Sequence, residues 1–402
     1  MSKSSKKSSS DKNKSSKSES NKSESNKSES NKSVSEFIFY SDIPNDTIDI
    51  YGDIDIKVTK IPSDNELEFK AKLEGHNVDY SVANAIRRSI LLYIPIYGFH
   101  RSNTRIENEK SYHMYNNDMI FNLIEMLPIF DIPNYWDITD PEVFMSNEVM
   151  KKLFSKFIPD KYIEEDNREK QDVADQDADK KLFNIELTLS IKNNTSDDKF
   201  VSTHDAILKI DNKISNSYTK KDPICIMVLK PGENISLSAT ANLGISKIHA
   251  IYEATTNAVS VEHSPTSYEI IYESLGQLDK NIIFLKGCLI IKKKLEALSQ
   301  YLKKKYENTT EHLDMEMTEI ELYGEDHTLG NLITTVLQKC EYTLKAGYVM
   351  PHPIIDSIVI RYIVDKKTKK DSITLILDVI EYLVRLMTKI MDSITAPKET
   401  QE

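Results

Sequence analysis

The chain has 402 residues, 39% hydrophobic and 29% charged, with a formal net charge of −11, proportions that fit two or three soluble domains at roughly 150 residues each. The charge is uneven: residues 1–35 hold nine Lys against Asp11, Glu19, Glu24 and Glu29, which leaves −16 on the remainder and excludes a body that grips DNA through a broad basic face. Three cysteines, Cys225, Cys288 and Cys340, lie at least 50 residues apart, which excludes a disulfide framework and any metal-ligand spacing among them.

Residues 1–35 repeat KSESN at 17–21, 22–26 and 27–31. Such a segment lacks the apolar surface to offset its ordering entropy, so a disordered tail is expected there. It also lacks the apolar core of a signal peptide. Order is expected from Phe37. Ile54, Ile56 and Val58 alternate with polar residues, as do Leu67, Phe69, Ala71 and Leu73 after Pro62-Ser63-Asp64-Asn65, the pattern of a half-buried hairpin. A helix follows, with Asp79 or Ser81 as N-cap, Val78, Val82, Ile86 and Ile90 as its buried stripe, and Pro95 beyond its end. Arg87-Arg88 at the exit of this helix suits an outward-facing pair that forks carboxylates on a partner.

Residues 131–244 differ in texture. They open with Pro133, Trp136 and Pro141, carry eight carboxylates against Arg168 and Lys170 between Glu164 and Asp179, and then turn strand-rich. Ile185, Leu187, Leu189 and Ile191 alternate, and Lys230-Pro231-Gly232-Glu233 reads as a turn between Ile224–Leu229 and Ile235–Ala241. The acidic run is expected to be a solvated loop.

One long helix is predicted over 279–308. Phe284, Cys288, Ile291, Leu295, Leu298 and Leu302 form a heptad seam with Lys292, Lys293 and Lys294 beside it. Residues 303–312 read as a linker. A strand at Met315–Leu322 then leads to a helix opened by Asp326 or Thr328, with Leu329, Leu332, Ile333, Val336 and Cys340 as its stripe. A strand at Ser357–Val364 precedes a last helix from Ser372 to Ile394. Asp378, Glu381, Arg385 and Lys389 interrupt its apolar face, so no membrane span is expected.

Two hexapeptides echo one another: Ser81-Val82-Ala83-Asn84-Ala85-Ile86 and Thr328-Leu329-Gly330-Asn331-Leu332-Ile333. Each follows a strand and a glycine and opens a helix, with a hydroxyl suited to the cap and a tiny residue that admits another backbone. Two copies of one unit, pairing helix to helix, would each cover an apolar face. The pairing is expected to involve Val82, Asn84, Ile86, Ile90, Leu329, Gly330, Asn331, Ile333 and Val336, with Leu295, Leu298, Ile380 and Leu383 from the long helices. Catalytic signatures are missing: the ten glycines form no phosphate loop, and there is no HExxH and no Gly-x-Ser-x-Gly. His327 and His352 read as ordinary packed or surface residues.

Glu325-Asp326-His327-Thr328-Leu329-Gly330-Asn331-Leu332, with Ala346-Gly347-Tyr348 and Pro351-His352-Pro353, resembles the small L-type assembly subunit of archaeal and eukaryotic DNA-directed RNA polymerases. Asn84-Ala85-Ile86-Arg87-Arg88 with Ile94-Pro95, Leu123 to Ile129, Gly244 to Ala250 and Glu273-Ser274-Leu275-Gly276 are similar to the D-type, alpha-like partner. D-like then L-like in one polypeptide resembles the fused subunit of large nucleocytoplasmic DNA viruses. Two departures stand out. Lone Cys225 does not supply the zinc or iron–sulfur ligands many cellular relatives carry, and the cellular His-Ala-Lys-Trp pattern reads His249-Ala250-Ile251-Tyr252.

The resemblance implies an α+β fold: a pseudo-dimer of two alpha-amino-terminal-domain-like units with an inserted strand-rich domain. Its expected parts are a tail (1–35), a discontinuous D-like domain (36–130 and 245–302), the insertion (131–244), a linker (303–312) and an L-like domain (313–402). It implies a subunit without catalytic, cofactor or metal residues that docks the two large catalytic polymerase subunits, and other small ones, for transcription. Arg87 and Arg88 would contact a large subunit, and DNA would be met only through the complex. No membrane and no homo-oligomer are expected, and the implied location is the virion and host cytoplasm, with the nucleus as the alternative. An acidic interaction scaffold unrelated to transcription, or an enzyme in its own right, are the competing readings.

Overall fold

Alternating burial along the first strands builds a sheet that the next helix covers. The computed structural model describes residues 47–107, 115–130, 132, 183–306, 317–352, 357–368 and 370–395. The Ser/Lys tail, Pro133, Trp136, Pro141, the acidic run at 164–179, residues 307–312 and Pro353 lie outside the described residues. Strands β1 (Lys57–Ile61) and β2 (Glu68–Glu74) form the expected antiparallel hairpin. Helix α1 (Tyr80–Leu92) is capped by Asp79, whose carboxylate accepts from the amides of Ser81 at 2.9 Å and Val82 at 3.2 Å and so satisfies donors the helix leaves open. Then come β3 (Pro95–Ile106), α2 (Asn117–Glu125), β4 (Ile185–Lys192), β5 (Lys199–Ser202), β6 (Ile207–Ile210), β7 (Lys213–Ser215) and the single turn α3 (Ser217–Lys220). Next are β8 (Cys225–Leu229), β9 (Asn234–Ile245), β10 (Val259–Ser264), β11 (Ser267–Glu273) and the long α4 (Lys280–Tyr306). The described chain ends with β12 (Thr318–Tyr323), α5 (His327–Lys339), β13 (Thr343–Val349), β14 (Ser357–Val364) and α6 (Ser372–Thr395).

The strands make four antiparallel sheets, ordered β1-β2-β11-β10, β12-β14-β13, β3-β9-β4-β6-β7 and β5-β8. A continuous apolar core joins the first two sheets to α1, α4, α5 and α6. Within it α4 packs along α6, and α1 packs against both α4 and α5. A second core gathers α2, the five-stranded sheet and the β5-β8 pair, with Ile124, Leu187, Leu189 and Leu237 fully buried. Strands β3 and β9 join the two. Ile96 and Ile245 belong to the first core, whereas Phe99 and Ala241 belong to the second.

One local expectation differs from the structure, and two features go beyond it. Residues 303–306 continue α4 instead of opening a linker; Lys303, Lys304 and Lys305 occupy its last turn, where cations suit the negative end of the helix dipole. The Lys230–Glu233 turn forms, closed by the Glu233 amide on the Lys230 carbonyl at 3.1 Å. Its flanking strands do not pair with each other, because β8 joins β5 while β9 joins β3 and β4. Strand β13 was not foreseen: only Ala346 of its seven residues is buried, so it carries no alternation for sequence to reveal.

Candidate functional site

The two helices opened by the echoed hexapeptides pack against each other. Each opens a helix under an Asp N-cap, Asp79 for α1 and Asp326 for α5, and each cap carboxylate also reaches a cation on the other helix. Asp79 pairs with Lys339 in the last turn of α5 at 2.8 Å. Asp326 pairs with Arg88 of α1 at 3.1 Å, and Arg88 also donates to the Thr328 hydroxyl at 2.9 Å. The reciprocity clips the two helices together at both ends. Gly330 lets α5 approach its own sheet: a Cβ there would lie 2.6 Å from the Tyr348 ring.

A second layer of charge lies beneath these clips. Lys294 of α4 donates to both carboxylate oxygens of Glu325, at 2.9 and 3.0 Å, with side-chain exposures of only 3% and 2%. The ammonium also sits 4.4 Å from the centre of the Tyr93 ring, while the Tyr93 hydroxyl donates to Asp326 at 2.9 Å. Burial pushes the Glu325 carboxyl above the ordinary carboxylate range, and Lys294 pulls it back. At Asp326 desolvation also acts upward. There the Thr328 hydroxyl and amide, Arg88 and Lys247 overcome it and hold the carboxyl well below its usual range.

Residues before β1, with Asn77 after β2, reach across to α5 and α6. The Ile48 amide donates to the Lys339 carbonyl at 2.8 Å. Arg385 donates to the Ile50 carbonyl and Lys389 to the Ile54 carbonyl, both at 2.5 Å. Asn77 donates to the Tyr382 hydroxyl at 2.8 Å. Tyr51 bonds Asp378 and Lys370.

Val82, Ile86, Ile90, Leu329, Ile333, Val336, Leu295, Leu298, Ile380 and Leu383 all lie in the one continuous core, and Gly330 is buried beside them. Asn84 and Asn331 are half-buried at its rim. Arg87 and Arg88 part company. Arg88 turns to Asp326 and Thr328 within the chain, where the sequence reading had both guanidinium groups facing out. Arg87 is braced by Asn84, whose side-chain oxygen accepts from it at 2.8 and 3.1 Å, and donates a longer bond to the Ala258 carbonyl at 3.5 Å. His327 is exposed and lies 3.1 Å from the Tyr348 hydroxyl. His352 is exposed, Cys225 is exposed, and Cys288 and Cys340 are buried. Among the described residues, no group of three or more His, Cys, Asp or Glu is arranged to hold a metal ion, and no helix is long and apolar enough to cross a membrane. The buried Lys294–Glu325 pair escaped the sequence reading, which grouped Lys294 with Lys292 and Lys293 as flanking a seam. No local signal separates the three, since the partner lies 31 residues downstream.

Comparison with known proteins decides what this arrangement belongs to. A protein of Acanthamoeba polyphaga mimivirus, provisionally named DNA-directed RNA polymerase subunit R470, is 49% identical over 347 residues, spanning 86% of this chain and 96% of the relative. The chain belongs to this family of viral DNA-directed RNA polymerase subunits. Residues 317–393 match the RNA polymerase Rpb3/Rpb11 dimerisation domain, the segment that holds β12, α5, β13, β14 and nearly all of α6. The archaeal polymerase subunit Rpo11 of Saccharolobus shibatae is 47% identical over 47 residues, and that of Saccharolobus solfataricus 43% identical over 56. These matches cover 12% and 14% of this polymerase subunit and 51% and 61% of the archaeal chains.

Proposed function

We propose that this polymerase subunit is a non-catalytic assembly platform, in which an alpha-like front half and an Rpb11-like rear half of one polypeptide pair as quasi-equivalent units and dock the two large catalytic subunits. The observation that carries the reading is near full-length similarity to a viral polymerase subunit together with a dimerisation-domain match confined to the rear. The reciprocal clips, Asp79 to Lys339 and Asp326 to Arg88, support the pairing, because each links the N-cap of one echoed helix to the other helix. The continuous core across α1, α4, α5 and α6 supports it further.

On this reading the front half comprises residues 36–130 and 245–302, the rear half 313–402, and residues 131–244 an inserted domain whose core also takes in Tyr97, Phe99 and α2 from the front half. Covalent linkage replaces a bimolecular encounter with an effective concentration on the order of millimolar. Of the arginine pair, Arg87 is the proposed contact to a large subunit, since Arg88 is engaged by Asp326 and Thr328 within the chain. Other small polymerase subunits complete the partners, DNA is met only through them, and the protein resides in the virion and host cytoplasm; the viral relative is the support for that location.

Affinity purification of the tagged chain from cells that make it, followed by identification of the bound proteins, tests the reading. Two very large polymerase subunits are the expected companions, and recovery without them rejects it. Nucleotide incorporation by the purified single chain is expected to be blank, and turnover would overturn the non-catalytic assignment.

A further inference from the structure

The two halves are not interchangeable at one buried place, and the difference is chemical. Aligning the N-caps Asp79 and Asp326 sets Val78 against Glu325, each directly before its cap. The long helices align as well. The buried residues Phe284, Cys288, Ile291, Leu295, Leu298 and Leu302 of α4 fall on Ile376, Ile380, Leu383, Met387, Ile390 and Ile394 of α6. The same alignment sets Lys294 against Leu386. One crossing therefore holds an ammonium and a carboxylate, Lys294 to Glu325. On this alignment its counterpart sets Val78 against Leu386, both buried in the shared core, where neighbouring Asn77 is bonded to Tyr382 one turn before Leu386.

We infer that the buried Lys294–Glu325 pair selects front–rear pairing and rejects pairing of either half with its own kind in a second copy of this chain. The inference deepens the platform reading and rests on its quasi-equivalent halves. In a front–front pair each buried Lys294 would face Val78, so two ammonium groups would lose water without gaining a carboxylate. In a rear–rear pair each Glu325 would face Leu386. Uncompensated buried charge is among the most costly defects in a core, whereas a matched pair beside an apolar one satisfies both crossings. The outer clips do not make this choice: in a front–front pair Arg88 would find Asp79 in the place of Asp326. The Tyr93 ring comes from the same half as Lys294 and would accompany it into either pairing. At this crossing discrimination thus falls to the carboxylate, whose absence leaves the wrong partner with an unpaired buried charge.

The test uses the full chain with a protease site placed within 307–312 and cut after folding. Native mass spectrometry of the cut protein is expected to give one front piece bound to one rear piece. Separation at this stage, before any unfolding, strikes the quasi-equivalent pairing itself and this inference with it. The cut protein is then unfolded and refolded. Wild-type pieces are expected to return as front–rear pairs. The apolar variant carrying Lys294→Leu with Glu325→Val is expected to form front–front and rear–rear pairs at least tenfold more often. A second arm refolds cut wild type together with an isotope-labelled swap, Lys294→Glu with Glu325→Lys. Wild-type fronts are expected to choose wild-type rears, and swapped fronts swapped rears, by roughly a hundredfold. Faithful front–rear pairing by the apolar variant, or random exchange in the mixture, overturns the inference while leaving the platform reading standing.

Discussion

Asp326 performs three tasks with one carboxylate: it caps α5, receives Arg88 and accepts the Tyr93 hydroxyl. Its proton leaves more readily in the folded chain than in the unfolded one, because Thr328, Arg88 and Lys247 stabilise the charge against the opposing desolvation. The folded state therefore binds fewer protons, and the contribution of Asp326 is complete above about pH 4 and is lost progressively as pH falls below that value. Glu325 acts in the opposite sense. Its raised carboxyl keeps a proton to higher pH when folded, so its contribution weakens as pH rises from about 4.3 toward the folded value. Asp326→Asn is expected to lower stability by about 1–3 kcal/mol at neutral pH and to flatten the acid limb, read by denaturant titration across pH 2–7. Neighbouring arginines should separate by assay. Arg88→Ala removes two bonds within the chain and is expected to cost about 1–2 kcal/mol of stability. Arg87→Ala gives up bonds to its helix neighbour Asn84 and a long one to the Ala258 carbonyl and is expected to cost less, about 0.5–1 kcal/mol, while reducing co-purification of a large subunit; equal effects of the two on both measures would remove the distinction.

At the scale of elements, helices were the most legible part of the sequence. Their stripes step at three and four residues, and α1 and α5 also carry an Asp cap, so α1, α4, α5 and α6 could be placed from pattern alone. The β1-β2 hairpin and β4 alternate cleanly and could also be placed. Strands β10, β11 and β13 could not: β10 has no buried residue, β13 has one, and β11 is fixed by pairing with β2, nearly 200 positions earlier. Of the seam, the apolar members were readable because each obeys the period of its own helix. The ionic members were not, since Lys294 and Glu325 each look like surface residues until the other is present. The contact between α1 and α4 is closer than side-chain packing usually allows. Ser89 donates to the Gly287 carbonyl at 2.8 Å, and a Cβ on Gly287 would stand 2.8 Å from Ile90 Cγ1. Gly287→Ala gains about 1 kcal/mol of helix propensity but forces two helices apart in a filled core, at a cost of about 1–3 kcal/mol. A net loss of stability is expected, and an unchanged or raised melting temperature would show that the helices yield freely.

Across the whole molecule, two apolar cores share two strands. The first draws on both ends of the described sequence, and the second on the middle. Each is expected to open as its own unit. Hydrogen exchange should therefore show amides of α1, α4, α5 and α6 losing protection together, and those of β4 and the second-core part of β9 as a separate group; a single exchange rate throughout would contradict this. The reach of residues 48–54 over α6 carries a consequence for biosynthesis. Arg385 closes onto the carbonyl of Ile50 across 335 positions of chain, so residues 48–54 find these partners only once α6 has been made. Contacts so distant along the chain are slow to form, while earlier segments begin to fold as they emerge. Closure of the seam is thus a late step in folding, and the carbonyls of Ile50 and Ile54 stay with water until α6 packs beneath them.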